Sequence, residues 1–549
     1  MSNSLDLRPE GELSVEDSKA ITKIELSLRN EYTHFIGDLV QLNKVNGLQW
    51  LLKVTCRNTY DSVIYDSMAR IALLDYNLKN GASYSTILVK NLFLSEVVAQ
   101  LLDRYNSKSK IIITNNFIDH FKVVKNICVN VIFCLALWFV SRFFKKTKPI
   151  GSIILLDTFF LDKDNLFDHY YPGLKEKLSA NIYNKIWALP TFLRPKYPWG
   201  WVGIFRRISQ YQKNIILRES WLTINDYFFA LKESLIVTKK IKNFPKWRGL
   251  DVSSIIKYDL SSDQGSYSIS YKILTYLSFK NFKKEGFEIE TIIDWYENQT
   301  IDRALYLGAN ENYPETDIKG YLGFVPESYY VGISPTIYEK NGGVLPTKFY
   351  VMGDAYINTI KKYMPELKVS VAPAFRFSGI REFKRNSNTK RNIILLALPY
   401  SMNESINIIQ LVYSSNIKNK YKILIKPHPT QSIQKIKLHF PTLKSTDFIF
   451  DKLIDIFQSV RLLVSSASSV VMEAAICNVH VAIVASRNGP TINPLTGLVD
   501  DTFWTICYES EDINYLLSAK KENLNHNTLD VNNYFESVTK ENALDFISD

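Results

Sequence analysis

The sequence predicts an α/β protein of two halves, each built on a parallel sheet flanked by helices. Three observations predict it. Between Tyr421 and Val484 the chain runs strand, loop, helix and then strand again. Units of that kind pair in parallel, because the crossover returns the chain to the same end of the sheet. A second series of short apolar runs, interleaved with helical patterns, precedes it from Lys110 to Met352. The two series are parted by RFSGIREFKRNSNTKR, which is polar, basic and without apolar periodicity. Residues 372–390 therefore read as a linker. Residues 1–371 read as a first domain enlarged by helical insertions, and 391–549 as the second.

A chain of 549 residues exceeds one ordinary core, and 46% hydrophobic with 22% charged residues describes a folded protein. A formal charge of +11 points to an anionic partner. No zinc-finger spacing, Arg-rich arm or RNA-binding signature accompanies it, so nucleotides or anionic lipid are expected and nucleic acid is not. Cys56, Cys128, Cys134, Cys477 and Cys507 show no CxxC spacing. They read as apolar filler in a reducing compartment, and no structural metal follows. MSNSLDLRPEGELSVEDSKA lacks the apolar core of a signal peptide, so the expected location is the cytoplasm.

In chain order, Leu48 to Leu102 holds helical patterns around a strand-like STILVKN, and Lys110 to Thr114 is a strand. Val123 to Phe144 is the most apolar stretch, with Lys122, Lys125, Arg142, Lys145, Lys146 and Lys148 at its ends. Its 16 uncharged residues, Asn126 to Ser141, fall short of a span, which needs about 20. Two readings fit: a core helix, or a helix lying in the headgroup layer of the inner leaflet. The one-signed flanks favour the second.

Gly151 to Phe160 is the next strand, Asn165 to Leu174 a loop and helix start, and Asn181 to Leu189 a third strand. RPKYPWGWVGIFRR mixes aromatic and basic residues, as a membrane contact, an acceptor platform or a packed loop would. Helices fill Asn225 to Lys240 and Ser268 to Lys284. Strands follow at Phe287 to Trp295, Ile318 to Val325 and Lys348 to Met352. Arg391 to Leu398 opens the second sheet, with Ser401 capping the helix after it. The amphipathic stretch Thr528 to Ile547 is expected to cross back onto the first domain as a helix.

The chemistry concentrates in two loops. Lys426-Pro427-His428-Pro429 ends the strand Ile423 to Ile425, because two prolines stop both ladder and helix. Ser465-Ser466-Ala467-Ser468-Ser469 joins the strand Leu462 to Val464 to the helix Val470 to Ile476. Parallel sheets bind ligands beyond the carboxyl ends of their strands, so both loops share one rim. There Lys426, His428, Pro429, Ser465, Ser466, Ser468 and Ser469 suit a phosphate. Glu473, one turn on, suits ribose hydroxyls. Taken singly, His428 is equally a capping residue and the serines equally a helix start; the ordered pair favours the site.

A Lys-x-His-Pro loop followed by Ser-Ser-x-x-x-x-x-Glu-Ala resembles the nucleotide-sugar domain of GT-B glycosyltransferases of bacterial surface polysaccharide synthesis, including sialyltransferase and Kdo-transferase types. The resemblance implies two Rossmann-like domains facing a cleft. His428 and the serines would contact the donor phosphate, and Glu473 the nucleoside. It implies a CMP-linked ulosonic acid as donor, a glycan or lipid-linked glycan as acceptor in O-antigen or capsule synthesis, and no required metal or other cofactor. An enzyme of that kind would sit peripherally on the inner membrane.

For the base, Asp168 and Glu297 rank first, since aromatic neighbours would desolvate them, with Asp157 and Asp294 as further strand-end candidates. His428 is the expected donor to the leaving phosphate. Other classes stay open: a UDP- or GDP-sugar-dependent transferase, a sugar-nucleotide epimerase of the same fold, and a binding module of polysaccharide assembly.

Overall fold

The computed structural model describes residues 4–114, 120–144, 146–160, 170–211, 214–383, 389–415, 417, 420–450, 452–518 and 528–548. Among the described residues fourteen strands form three sheets, every strand pairing parallel. A small sheet joins β1 (Ser4–Asp6), β2 (Thr86–Val89) and β3 (Lys110–Ile113). The central sheet contains β4 (Ser152–Phe159), β5 (Ile186–Thr191), β6 (Glu288–Trp295), β7 (Asp317–Leu322), β8 (Lys348–Val351) and β9 (Val369–Val371), in the order β5-β4-β6-β7-β8-β9. The last sheet contains β10 (Ile393–Ala397), β11 (Lys422–Lys426), β12 (Val460–Ser465), β13 (His480–Val484) and β14 (Trp504–Cys507), in the order β11-β10-β12-β13-β14. The strand IILLA, and Leu462 to Val464 within VRLLVS, read as continuous apolar runs because both of their faces are buried. The two larger sheets flank a cleft lined by residues of both.

Four expectations change. Asn181 to Leu189 is not a strand throughout: Ala180–Lys185 is a short helix following Ser179, and β5 begins at Ile186. Pro190 is tolerated in β5 because that strand is the sheet edge. Residues 372–383 of the stretch read as a linker are packed, not free. Phe375–Glu382 forms a 3-10 turn whose Phe375, Phe377 and Ile380 are buried. Phe377 stacks on Phe535 at 4.3 Å, and the Ala374 N–H donates to the Glu536 carbonyl. The expected strands at STILVKN and Lys110 to Thr114 are present as β2 and β3, but their pairing with β1 in a separate small sheet was not anticipated. Its neighbouring helix Val15–Leu42 touches the second half, where Ser18 Oγ donates to the Ser486 carbonyl at 2.7 Å. Finally, the chain after 528 forms two short helices, Val531–Tyr534 and Lys540–Ser548. This end does cross back, and the buried Lys319 ammonium donates to the Phe546 carbonyl at 2.8 Å.

The apolar helix His120–Ser141 packs its inner face into the first half. Phe133, Cys134, Leu137 and Val140 are buried there, and Asn130 donates to the Gly265 carbonyl and to Ser270 Oγ.

Candidate active site

Both large sheets reverse strand order at one point, β4 against β6 and β10 against β12. At such a point the loops leave in opposite directions and open a crevice. Each crevice carries a cavity.

In the second half the crevice opens into a cleft of about 810 Å³, lined from both halves. Leu398 to Ser401 follow β10, Lys426 ends β11 and Pro427 to Pro429 follow it, and Ala467, Ser468, Ser469 and Glu473 follow β12. Opposite stand Tyr60, Trp295, Glu297, Glu327 and Arg376. The loop at His428 fixes its tautomer. The Thr430 N–H donates to His428 Nδ1 at 3.3 Å, so the ring proton resides on Nε2. Partial burial lowers the His428 pKa, which keeps the ring neutral at physiological pH. His428 thus offers the cleft one N–H donor.

The serines divide. Ser465 is the last residue of β12, and its Oγ donates to the Ala397 carbonyl at 2.7 Å, tying the two strands at the reversal point. Ser466 Oγ donates to Glu404 at 2.7 Å. Those two hydroxyls are consumed inside the fold, whereas Ser468 and Ser469 line the cleft. The helix Val470–Ile476 has only 7 residues, and the Ser469 side chain makes no cap bond to it. Its dipole is correspondingly small, and side chains carry most of the local charge. Glu473 reaches the cleft, where burial pushes its pKa up to about 7 against the pull of Arg376 and Lys426.

In the first half the β4–β6 crevice is a chamber of about 330 Å³ that shares Tyr170, Trp295, Glu297 and Gln299 with the cleft. Asp157, from β4, accepts from Thr191 Oγ1 at 3.1 Å and lies 3.5 Å from the Arg218 guanidinium. Burial pushes its pKa up to about 6. Asp294, from β6, accepts from the Tyr306 hydroxyl; burial, with Asp302 and Asp157 nearby, holds its proton on. Glu297 sits at the junction of chamber and cleft. Trp295 Nε1 donates to it at 3.1 Å, Gln299 Nε2 binds its other oxygen, and burial raises its pKa. A buried network sets this turn: Asn298 at φ 52 donates to the Gly332 carbonyl at 2.7 Å, and Arg303 and Arg57 clasp Glu339. Asp168 lies outside the described residues.

Arg376 was not anticipated. It emerges from the packed turn between the halves, its guanidinium 5.7 Å from the Trp295 ring, and has no hydrogen-bonded partner among the described residues. The Phe375-Arg376-Phe377 pattern, a cation between two apolar anchors, was the available signal. Glu327 and Glu404, also on the cleft, carried none. Among the described residues no cluster of His, Cys, Asp or Glu has metal-binding geometry.

No protein-family model and no curated protein matches the chain. Solved structures similar to it include a UDP-GlcNAc 2-epimerase from Neisseria meningitidis bound to UDP-GlcNAc, at 11% identity and TM-score 0.39, covering 68% of this chain and 92% of that one. Acinetobacter baumannii MurG is similar at 10% identity and TM-score 0.34, covering 67% and 90%. The wall teichoic acid polymerase TagF is similar at 11% identity and TM-score 0.33, covering 79% and 92%. Likeness this distant transfers no chemistry from one chain to another.

Proposed function

We propose that the protein is a nucleotide-sugar-dependent glycosyltransferase that binds its donor in the interdomain cleft and its acceptor hydroxyl at the chamber junction. One observation carries the reading. Lys426, Arg376 and the Nε2–H of His428 line one cleft beside Ser468 and Ser469, and that cleft opens onto a carboxylate chamber. Lys426 and His428 on one side, with Arg376 across the cleft, suit a leaving phosphate. A carboxylate with a raised pKa on the other suits removal of the acceptor proton.

In this mechanism Lys426 and Arg376 hold the phosphate, and His428 donates to the oxygen on which charge grows as the glycosidic bond breaks. Glu297 takes the acceptor proton, with Asp157 next in line on the chamber floor. Ser468 and Ser469 position the donor, and Glu473 accepts from the ribose hydroxyls. The proposed donor is a CMP-linked ulosonic acid and the acceptor a glycan of surface polysaccharide synthesis. The Lys426-Pro427-His428-Pro429 loop and the serine turn support that choice.

The test is nucleotide release from CMP-, UDP- and GDP-sugars, with and without oligosaccharide acceptors, alongside NMR of the sugar. Acceptor-dependent release of CMP is expected. Inversion of a sugar centre without an acceptor would instead assign an epimerase.

A further inference from the structure

The outer face of the helix His120–Ser141 is uncovered and apolar. Val124, Cys128, Ile132, Leu135 and Phe139 follow one another at three- and four-residue steps, so they share one face. Ile132 is 53% exposed and Phe139 57%. The run Lys122–Ser141 has a mean hydropathy of 2.1, high enough for a membrane span. Its inner face packs on the protein core through Asn130 and Phe133, which fits a helix lying along a bilayer better than one crossing it.

Charge completes the surface. No carboxylate occurs from 120 to 156 or from 192 to 218, whereas both stretches carry Lys and Arg. The second stretch leaves β5 at the chamber. Leu193, 64% exposed, lies on the chamber's lip, and Arg194 places its guanidinium 4.7 Å from the Phe133 ring of the apolar helix. Close beyond it Trp199, 69% exposed, stacks on Tyr197, as interfacial aromatics do. Arg142 is committed elsewhere, donating to the Glu219 and Leu222 carbonyls, and Arg218 is buried against Thr191 and Thr275, so exposed residues such as Lys125 and Lys196 supply the headgroup contacts.

We propose that the outer face of this helix and the segment Leu193 to Trp199 seat the protein on an anionic bilayer with the chamber mouth against the lipid. The inference deepens the glycosyltransferase reading and rests on it for one consequence: the acceptor is the polar head of a bilayer-anchored amphiphile, entering the chamber past Leu193. An apolar strip flanked by charge of one sign binds in the headgroup layer by burial plus attraction to anionic lipid.

Cys128, an exposed thiol on the strip, takes a nitrobenzoxadiazole label directly, and Leu193→Cys with Cys128→Ser places the label on the lip. With phosphatidylglycerol–phosphatidylcholine vesicles, doxyl-labelled lipid should quench both labels, and flotation should fall in high salt. Lys125→Gln with Lys196→Gln should weaken binding by about tenfold. Ile132→Asp with Phe139→Asp should abolish it, and both side chains are exposed enough for the fold to survive, which melting curves check. A Cys128 label that stays unquenched, or flotation indifferent to both double variants, would overturn the seat. Quenching at Cys128 without quenching at Leu193→Cys would overturn its orientation. His428→Ala should leave flotation and quenching unchanged, so failure of the donor reading and failure of this one are told apart.

Discussion

At the residue scale the account stands on His428 and Glu473. A neutral imidazole with its proton on Nε2 donates most strongly to a phosphate gaining charge, so His428→Ala should lower kcat by about 10²–10³ with folding intact. Steady-state kinetics with whichever donor the nucleotide-release assay identifies checks this. Glu473 makes a different prediction, through pH. Its carboxyl titrates near 7 in the folded protein against 4.5 ordinarily. Between those values the folded state holds a proton that the unfolded chain releases, so stability falls as pH rises through the window. Glu473→Gln removes that slope: melting temperatures of the two proteins should coincide at acid pH and part on the way to neutrality, the variant melting higher. Identical curves at neutral pH would remove the buried carboxyl from this account. His428, Lys426 and Glu473 were legible because prolines and a serine run fix where strands end. Arg376 was not, because a segment anchored by contacts to Phe535, far along the chain, carries no local period.

At the scale of elements the serine turn has two jobs, divided between its first two hydroxyls and its last two. Ser465→Ala removes the tie between β12 and β10 and should cost about 1 kcal/mol of stability by denaturant titration. Ser468→Ala should leave stability alone and raise the donor KM. Sequence reasoning placed both hydroxyls on the phosphate, since it locates a strand's end without saying which way its last side chain turns. The turn bearing Glu297 depends on the Arg57–Glu339–Arg303 cluster beneath it. Removing one partner strands a buried charge, so Arg303→Met should destabilise by roughly 3–5 kcal/mol. Circular dichroism melts would show it. The strands β4, β6, β10, β12 and β13 were readable as apolar runs. Three residues in β1 or β9 are too few to display a pattern, and tertiary pairing alone makes them strands.

At the scale of the molecule, among the described residues, the two halves are stitched by the packed turn after β9, by the return of the last helices, and by the loop from Ser486, which meets Val15–Leu42, Arg70 and Gly11. Phe546 packs against Tyr321, Tyr350 and Phe375 and is buried, so Phe546→Ala should cost roughly 3–5 kcal/mol, read as an early loss of the first half's melting transition. Two parallel-sheet halves and the returning end were legible from the order of motifs; the third sheet was not, because its first strand lies far from its partners in sequence. The central claim is that the cleft holds a nucleotide phosphate between cations of both halves. Calorimetric titration of CMP, UDP and GDP into the wild type, Arg376→Ala and Lys426→Ala tests it most directly. The account predicts that a nucleotide binds the wild type, and that each variant binds it about tenfold or more weakly without a change in melting temperature. Absence of nucleotide binding, or an affinity unmoved when both cations are removed together, would contradict it.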